Sequence, residues 1–383
     1  MKPCVWRKRG LTNNDAYWVL NGLQGIGPIS LNQMLERFGG DPVRVLHADR
    51  AELSEVRGLT YRGVDAIVSW QSNFDLSREK ERAAKLGLRF VDRESDRYPE
   101  ILKEIHDPPI GLYVLGDYRF SRPSVAIVGS RRTTLYGQGV AREFGRELSG
   151  RGICVTSGMA RGIDTYAHQG ALDAEGGMTV AVMGCGIDIV YPPENIGLYR
   201  NIGEIGAVVS EFPLGRRADK QTFPMRNRLV SGMSQAVIVV ESDETGGSLI
   251  TARFAGEQGR LVCAVPGRID QKTSRGCNRL IRDGALLLSS VDDLLTELEY
   301  ETMLPQLNIA YPGERDYDIE ELDEVELKLI KLFEGGEAID ADRIAKQLQI
   351  TTADIASTLM MLELKGYVAK RLDGSYEAVS KYS

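Results

Sequence analysis

Seven short apolar runs punctuate the stretch from Ser124 to Ser290: Val125–Val128, Ile153–Thr156, Thr179–Met183, Ala207–Ser210, Ala236–Val240, Leu261–Val265 and Ala285–Leu288. Each is of strand length and apolar at successive positions, which predicts strands buried on both faces. Between them lie segments of helical pattern, over Leu135–Ser149, Ile163–Ala174, Pro193–Ile205, Arg226–Gly232, Ser248–Gln258 and Asn278–Arg282. This alternation predicts an α/β fold, a Rossmann-like doubly wound parallel sheet with helices on both sides. Such sheets bind ligands beyond the carboxyl ends of their strands.

The flanks read differently. Residues 11–70 form short helices broken by glycine, with Leu23-Gln-Gly25-Ile26-Gly27 between two of them and a degenerate copy at Val56-Arg-Gly58-Leu59-Thr60. That is a helix-hairpin-helix pattern. Its glycines either let backbone amides approach a DNA phosphate or turn the chain tightly between packed helices, and the pattern leaves both open. A charged helix, Leu76–Lys85, precedes strand-like Leu88–Val91 and Leu112–Leu115, which would extend the sheet. Residues 300–322 hold prolines and acids without an apolar period, as a solvated linker does. Beyond it come three helical stripes (Val325, Leu329, Leu332 and Phe333; Ala341–Leu348; Ile355, Leu359 and Leu362) and a hairpin turning at Asp373-Gly374. Helix, helix, helix, hairpin is the order of a winged helix. Its third helix, Thr352–Leu364, carries Asp354 and Glu363 but no Lys or Arg, which favours protein contact or regulation over major-groove reading. The expected domains are therefore a helix-hairpin-helix/SAM-like domain (1–75), an extended Rossmann domain (76–300), an acidic linker (301–322) and a winged helix (323–383).

Composition narrows the picture. The 383 residues suit two or three domains, and 43% hydrophobic with 26% charged residues is ordinary for a globular chain. No apolar run approaches the ~20 residues of a membrane span. The basic start, Met1–Gly10, is followed by no apolar region, so a cytoplasmic location is expected. Five widely spaced cysteines read as reduced core thiols, and none of the three histidines stands at metal-ligand spacing, so no metal is expected. The net charge of −7 resides in residues 314–383, with 9 basic against 16 acidic residues. Residues 121–290 hold 18 arginines but only 2 lysines, a bias toward the planar fork that suits phosphate.

Position gives that bias its meaning. The first strand runs into Gly129-Ser130-Arg131-Arg132, which is not the G-x-G-x-x-G of dinucleotide enzymes. The second runs into Thr156-Ser157-Gly158-Met159-Ala160-Arg161-Gly162-Ile163-Asp164, with no acid where a ribose would be gripped, so NAD and FAD are not expected and no cofactor is assigned. Small residues exposing amides at helix N-termini, beside Arg131 and Arg161, make an anion site. Farther on, Arg216-Arg217 leads to Thr222-Phe223-Pro224-Met225, where Arg226, Asn227 and Arg228 are expected to open a helix. Another glycine turn, Thr245-Gly246-Gly247-Ser248, follows the fifth strand. Several such loops on one edge suit successive phosphates, and Tyr191 and Phe223 stand where they either stack on bases or fill the core. Asp164, Asp188 and Glu241 are carboxylates without a catalytic partner, and Asp164 reads as a brace on its loop. No catalytic residue is expected.

The segments Gly129–Arg131, Ser157–Asp164, Ala167-His168, Gly184-Cys-Gly186, Tyr191–Asn195, Ser210–Pro213, Phe223–Arg228, Gly246–Ala252 and Pro266-Gly267 together closely resemble the bacterial DNA-processing protein A (DprA/Smf) family. The resemblance implies a non-enzymatic homodimer that binds single-stranded DNA in natural transformation and recombination, protects incoming strands and loads the RecA recombinase onto them. By position it implies DNA-binding roles for Gly129, Ser130 and Arg131, for Ser157, Gly158, Arg161 and Gly162, and for Phe223, Pro224, Arg226, Asn227 and Arg228. Gly246, Gly247 and Ser248 join them, and Lys220 is a nearby candidate for the family's pocket lysine. The alternative is a Rossmann-like nucleotide or phosphoribo-hydrolase, but Thr245-Gly-Gly-Ser-Leu-Ile lacks that group's Pro-Gly-Gly-x-Gly-Thr and following acid. A pure adaptor working through the hairpins and winged helix would leave the arginine-lined loops without a purpose.

Overall fold

A computed structural model describes residues 10–298, 324–333, 339–348, 350–364, 367–370 and 375–378. Cys4, the acidic linker at 301–322 and the Asp373-Gly374 turn lie outside the described residues. The chain forms two compact units, 1–298 and 299–383.

The first unit is built on one nine-stranded sheet: β1 (Arg89–Asp92), β2 (Gly111–Leu115), β3 (Ser124–Val128), β4 (Cys154–Ser157), β5 (Thr179–Val182), β6 (Ala207–Ser210), β7 (Ala236–Val239), β8 (Leu261–Ala264) and β9 (Leu286–Leu287). Their spatial order is β1-β2-β6-β5-β4-β3-β7-β8-β9. Strands β3 to β9 are parallel and β1 and β2 extend the sheet, as the apolar pattern predicts; the extension joins at β6 and is antiparallel, which the pattern left open. Alternation divides the core: Val180 and Val182 enter one apolar layer, Ala181 and Met183 the other.

Helices α1 (Asn13–Gly22), α2 (Pro28–Arg37), α3 (Pro42–His47), α4 (Arg50–Ser54), α5 (Tyr61–Val68), α6 (Trp70–Asn73) and α7 (Leu76–Lys85) precede the sheet, and α8 (Glu100–Lys103) sits between β1 and β2. They share the sheet's core. Trp18 of α1 stacks on Phe90 at 4.9 Å and meets Tyr113 edge-on at 6.0 Å. Each buried aromatic of this kind contributes about 2 kcal/mol. The two hairpins pack on each other: Gly25, with φ +84°, lies where an added Cβ would stand 3.6 Å from Gly63 N.

Behind the strands follow α9 (Leu135–Gly150), α10 (Ile163–Asp173), α11 (Ile196–Ile205), α12 (Thr222–Gly232), α13 (Gly247–Glu257), α14 (Lys272–Arg282) and α15 (Val291–Leu298). Two begin earlier than their pattern suggests. Helix α12 starts at Thr222, four residues before Arg226, because Asp219 Oδ1 accepts from Gln221 N at 2.8 Å and Thr222 N at 2.9 Å. Pro224 then falls in the first turn, where its missing N–H has no partner to lose. Arg226, Asn227 and Arg228 therefore lie inside the helix and do not open it. Helix α14 starts at Lys272 instead of Asn278, since the face it buries is Ser274, Gly276 and Cys277 and carries little apolar signal.

The second unit comprises α16 (Glu324–Leu332), α17 (Ala341–Leu348), α18 (Thr352–Leu364) and the antiparallel pair β10 (Val368–Lys370) and β11 (Tyr376–Ala378), the winged-helix order. Leu329, Phe333, Ile344, Ile355, Leu359 and Leu362 form its core. Met360 and Met361 stand exposed on α18.

Candidate nucleic-acid interface

Connections leave the sheet in opposite directions from β3, so the crevice of this fold opens where β3 and β7 lie side by side. The loops after these strands interlock there. Ser130 N donates to Glu241 O at 2.7 Å, and the Glu241 carboxylate accepts from Thr133 Oγ1 (2.7 Å), Thr134 N (2.9 Å) and Thr134 Oγ1 (2.6 Å) at the start of α9. The loop after β4 joins them: Ile163 N donates to Ser130 O at 3.2 Å, and Gly162, at φ +77°, presses its Cα onto the Ser130 carbonyl. Gly129 is hemmed in by Ile163 and Glu241 O.

Beside this junction a pocket opens among the loops after β3, β4, β5 and β6, lined by Arg131, Gly158, Ala160, Arg161, Gly184, Cys185, Tyr191, Pro192, Ala218, Phe223 and Arg226. Its floor is the Arg226 guanidinium, only 5% exposed. Gly158 is required there, because a Cβ would overlap the guanidinium. Arg226 Nη1 stands 3.8 Å from Asp164 Oδ2, and the same oxygen accepts from Gly158 N (3.1 Å) and Ala160 N (3.2 Å), the bracing role expected of Asp164. Burial pushes the Asp164 carboxyl up and the Arg226 guanidinium down, and their mutual attraction opposes both shifts. Arg226 Nε has no hydrogen-bond partner. A buried donor left unpaired this way is a costly arrangement, shared among the described residues with Arg89 Nε and Arg260 Nε.

The walls suit a nucleotide. The Arg131 guanidinium lies 4.9 Å over the Phe223 ring, and Tyr191 stands 5.9 Å from that ring, exposed enough to meet a base. Arg161 forks onto Glu194 at the rim, through Nε and through Nη2 at 3.1 Å. Arg131, Arg132, Arg217 and Lys220 are exposed along the same edge, and none has an ion pair with a carboxylate among the described residues. On the far side of the crevice the β7 loop presents Asp243 and Glu244, so the cationic half lies toward β6.

The remaining expected residues separate by direction. Arg228 faces away from the pocket: two residues along a helix is about 200° around it. It is buried between Glu211 and Asp107, with Asp107 Oδ2 at 3.3 Å and the Asp107 carbonyl at 2.7 Å. Ser157 Oγ donates to Ile127 O (2.6 Å) and Ser248 Oγ to Ser242 Oγ (2.8 Å), both buried. Ser130 Oγ donates to Arg132 O at 2.9 Å and shapes its turn. Pro224 lies in the first turn of α12; Asn227 Nδ2 reaches Gly247 O at 3.4 Å, tying α12 to the start of α13, where Gly247 is exposed and Gly246 backs onto Ser242. Sequence reasoning assigned no role to Ala160, Gly184, Cys185, Pro192 and Ala218 of the pocket or to Glu194, the partner of Arg161; the runs Ser157–Asp164, Gly184-Cys-Gly186 and Tyr191–Asn195 held all of these but Ala218.

The other chemistry-bearing groups are enclosed. His168 is buried against Thr179 Oγ1 at 2.7 Å, and burial pushes its pKa down to about 3. Cys154, Cys185, Cys263 and Cys277 are free and buried, in line with core thiols. Asp188 accepts from Gly215 N at 2.8 Å, so it too braces a loop. Among the described residues no three histidine, cysteine or carboxylate side chains gather as a metal site, and no helix is long and apolar enough to cross a membrane.

Residues 89–299 match the family described as DNA recombination-mediator protein A, and residues 315–374 match the DprA winged helix domain. Protein Smf of Synechocystis is 30% identical over 95% of this chain and 99% of its own length. The X-ray structure of DNA processing protein A from Streptococcus pneumoniae superposes with a TM-score of 0.65 at 33% identity, covering 75% of this chain and 98% of that one. DNA processing protein A from Helicobacter pylori, solved for its single-stranded DNA binding mode, superposes with a TM-score of 0.51 at 29% identity, covering 56% of this chain and 96% of that one.

Proposed function

The chain belongs to the DNA-processing protein A (DprA/Smf) family, and from that premise we propose that it binds single-stranded DNA in natural transformation and recombination, without being an enzyme. The observation that carries this reading is the Arg226 guanidinium, buried at the floor of a pocket with its Nε unpaired, beneath Arg131 and two aromatic rings. Phosphates would lie on the arginines and on the amides of the strand-end loops, with bases against Phe223 and Tyr191. The single-stranded DNA binding mode of the Helicobacter pylori relative supports the same ligand. Asp164, Asp188 and Glu241 already accept backbone amides, which supports binding over proton transfer. Family membership extends the proposal to a cytoplasmic homodimer, joined through the Rossmann domain, that protects incoming strands and loads RecA onto them.

Fluorescence anisotropy of a labelled single-stranded oligonucleotide, with matched duplex as competitor, tests the reading. About four neutralised phosphates per protomer would give a slope of log affinity against log salt near −3. Preference for single strands and loss of binding in Arg131→Ala and Arg226→Ala are expected. Undiminished binding by both variants sinks the site. Arg131 is exposed, so its variant tests the pocket without disturbing the core.

A further inference from the structure

The pocket's two walls are held by a helix that does not touch it. Helix α7 packs under the loops after β5 and β6. Its Glu79 is buried, and Oε1 accepts from Leu214 N at 2.9 Å and from Tyr113 Oη at 3.0 Å. Tyr113 Oη in turn accepts from Trp18 Nε1 of α1 at 2.9 Å. One turn along α7, Arg82 Nη2 donates to Asp188 Oδ2 at 2.9 Å, and Asp188 Oδ1 accepts from Gly215 N at 2.8 Å. The β5 and β6 loops also meet directly, Gly186 N donating to Arg216 O at 2.7 Å. A Cβ on Gly186 would stand 2.7 Å from both Asp188 Oδ1 and the Pro213 carbonyl, so the backbones touch.

From this geometry we propose that Glu79 and Arg82 are positioning residues for the DNA pocket, and that the N-terminal helices set its width. The inference rests on the single-stranded DNA reading of the pocket. One loop leads to Tyr191 and the other to Phe223 and Arg226, so the clamp fixes the distance between the base-facing ring and the buried guanidinium. Neither Glu79 nor Arg82 lines the pocket. Two charge-assisted contacts on adjacent backbone amides, Leu214 N and Gly215 N, hold one loop at two points, which a single contact could not do without leaving it free to pivot. The Glu79 carboxylate also faces Arg82 Nη1 at 3.6 Å, so the two halves of the clamp share charge.

The test compares Arg82→Ala, Arg82→Lys and Glu79→Gln with the full-length chain. Anisotropy at several salt concentrations reads affinity and slope; hydrogen–deuterium exchange without DNA reads the loops at residues 184–192 and 212–218. Expected are an affinity loss of about tenfold in Arg82→Ala and Glu79→Gln, an unchanged salt slope, partial recovery in Arg82→Lys, and faster exchange confined to the two loops. Unchanged affinity overturns the proposal. So does a slope reduced by about 0.7, the mark of a lost phosphate contact. Faster loop exchange in a protein that binds no single strand at all would retain the loop clamp and overturn the DNA reading instead.

Discussion

The helical hairpins and the carboxyl edge of the sheet are written in the same letters, glycines between helices with arginines nearby, yet they spend their donors differently. In the hairpins the glycines bring backbone to backbone, Gly25 against Gly63. Two of their five arginines are met by acids, Arg37 by Glu55 and Arg50 by Asp65 at 2.5 Å, Arg44 reaches the Phe38 carbonyl, and residues 13–73 hold those five arginines against seven carboxylates. At the sheet edge Gly158 makes room for a guanidinium, Arg226 Nε lacks a partner, and Arg131, Arg132 and Arg217 face solvent. A glycine-rich turn therefore marks a close approach and says nothing of what approaches. The company of the donors decides between a packing joint and a phosphate seat.

The first expected effect breaks that contrast at its sharpest point. Gly158→Ala should displace Arg226 and weaken single-strand binding at least tenfold, about 1.4 kcal/mol, with some loss of stability as Asp164 loses its buried cation. Gly25→Ala should leave binding untouched and lower stability by about 1 kcal/mol, the penalty of a left-handed backbone. Anisotropy and urea melts on both variants check the pair, and equal binding losses would erase the distinction.

Next comes the contrast within α12. Arg228→Met should destabilise by about 3 kcal/mol, because Glu211 is left buried without its cation, while the folded fraction keeps the wild-type salt slope. Arg226→Met also leaves a buried carboxylate, Asp164, without its cation, but it should add a larger loss of binding and a slope reduced by about 0.7. A reduced slope in Arg228→Met would mean that both arginines reach DNA.

The last effect concerns acid. His168 has a folded pKa of about 3, below the ordinary 6.5, so the unfolded chain takes up its proton first. Its contribution is complete above pH 6.5 and is lost as pH falls toward 3, by up to about 1.4 kcal/mol per pH unit. Urea melts at pH 7 and pH 5 should show this loss in the wild type and a shallower one in His168→Gln.

Much of the fold was legible because parallel strands buried on both faces leave continuous apolar runs. Ala236–Val240 is an example, and each of the seven runs lies on a strand. The helix starts were less so. Pro224 reads as a breaker although it is harmless in a first turn, and that misplacement hid the opposed directions of Arg226 and Arg228. The buried face of α14 is made of serine, glycine and cysteine, which no hydrophobic period reveals. Of the expected contacts the structure gathers Arg131, Gly158, Arg161, Phe223 and Arg226 around one pocket, all marked by loop chemistry local in sequence. The clamp was beyond reach: Glu79 and Leu214 are 135 residues apart, and nothing in either neighbourhood names the other.

Glu241 carries a consequence of its own. In cofactor-binding relatives of this architecture, the first helix after the sheet's founding strand turns its amide-rich end toward a pyrophosphate. Here that berth is taken: the Glu241 carboxylate holds Thr133 and Thr134, and Gly137 is the residue that leaves it room. The molecule supplies its own resident anion. A pyrophosphate placed there would meet a carboxylate where it needs donors.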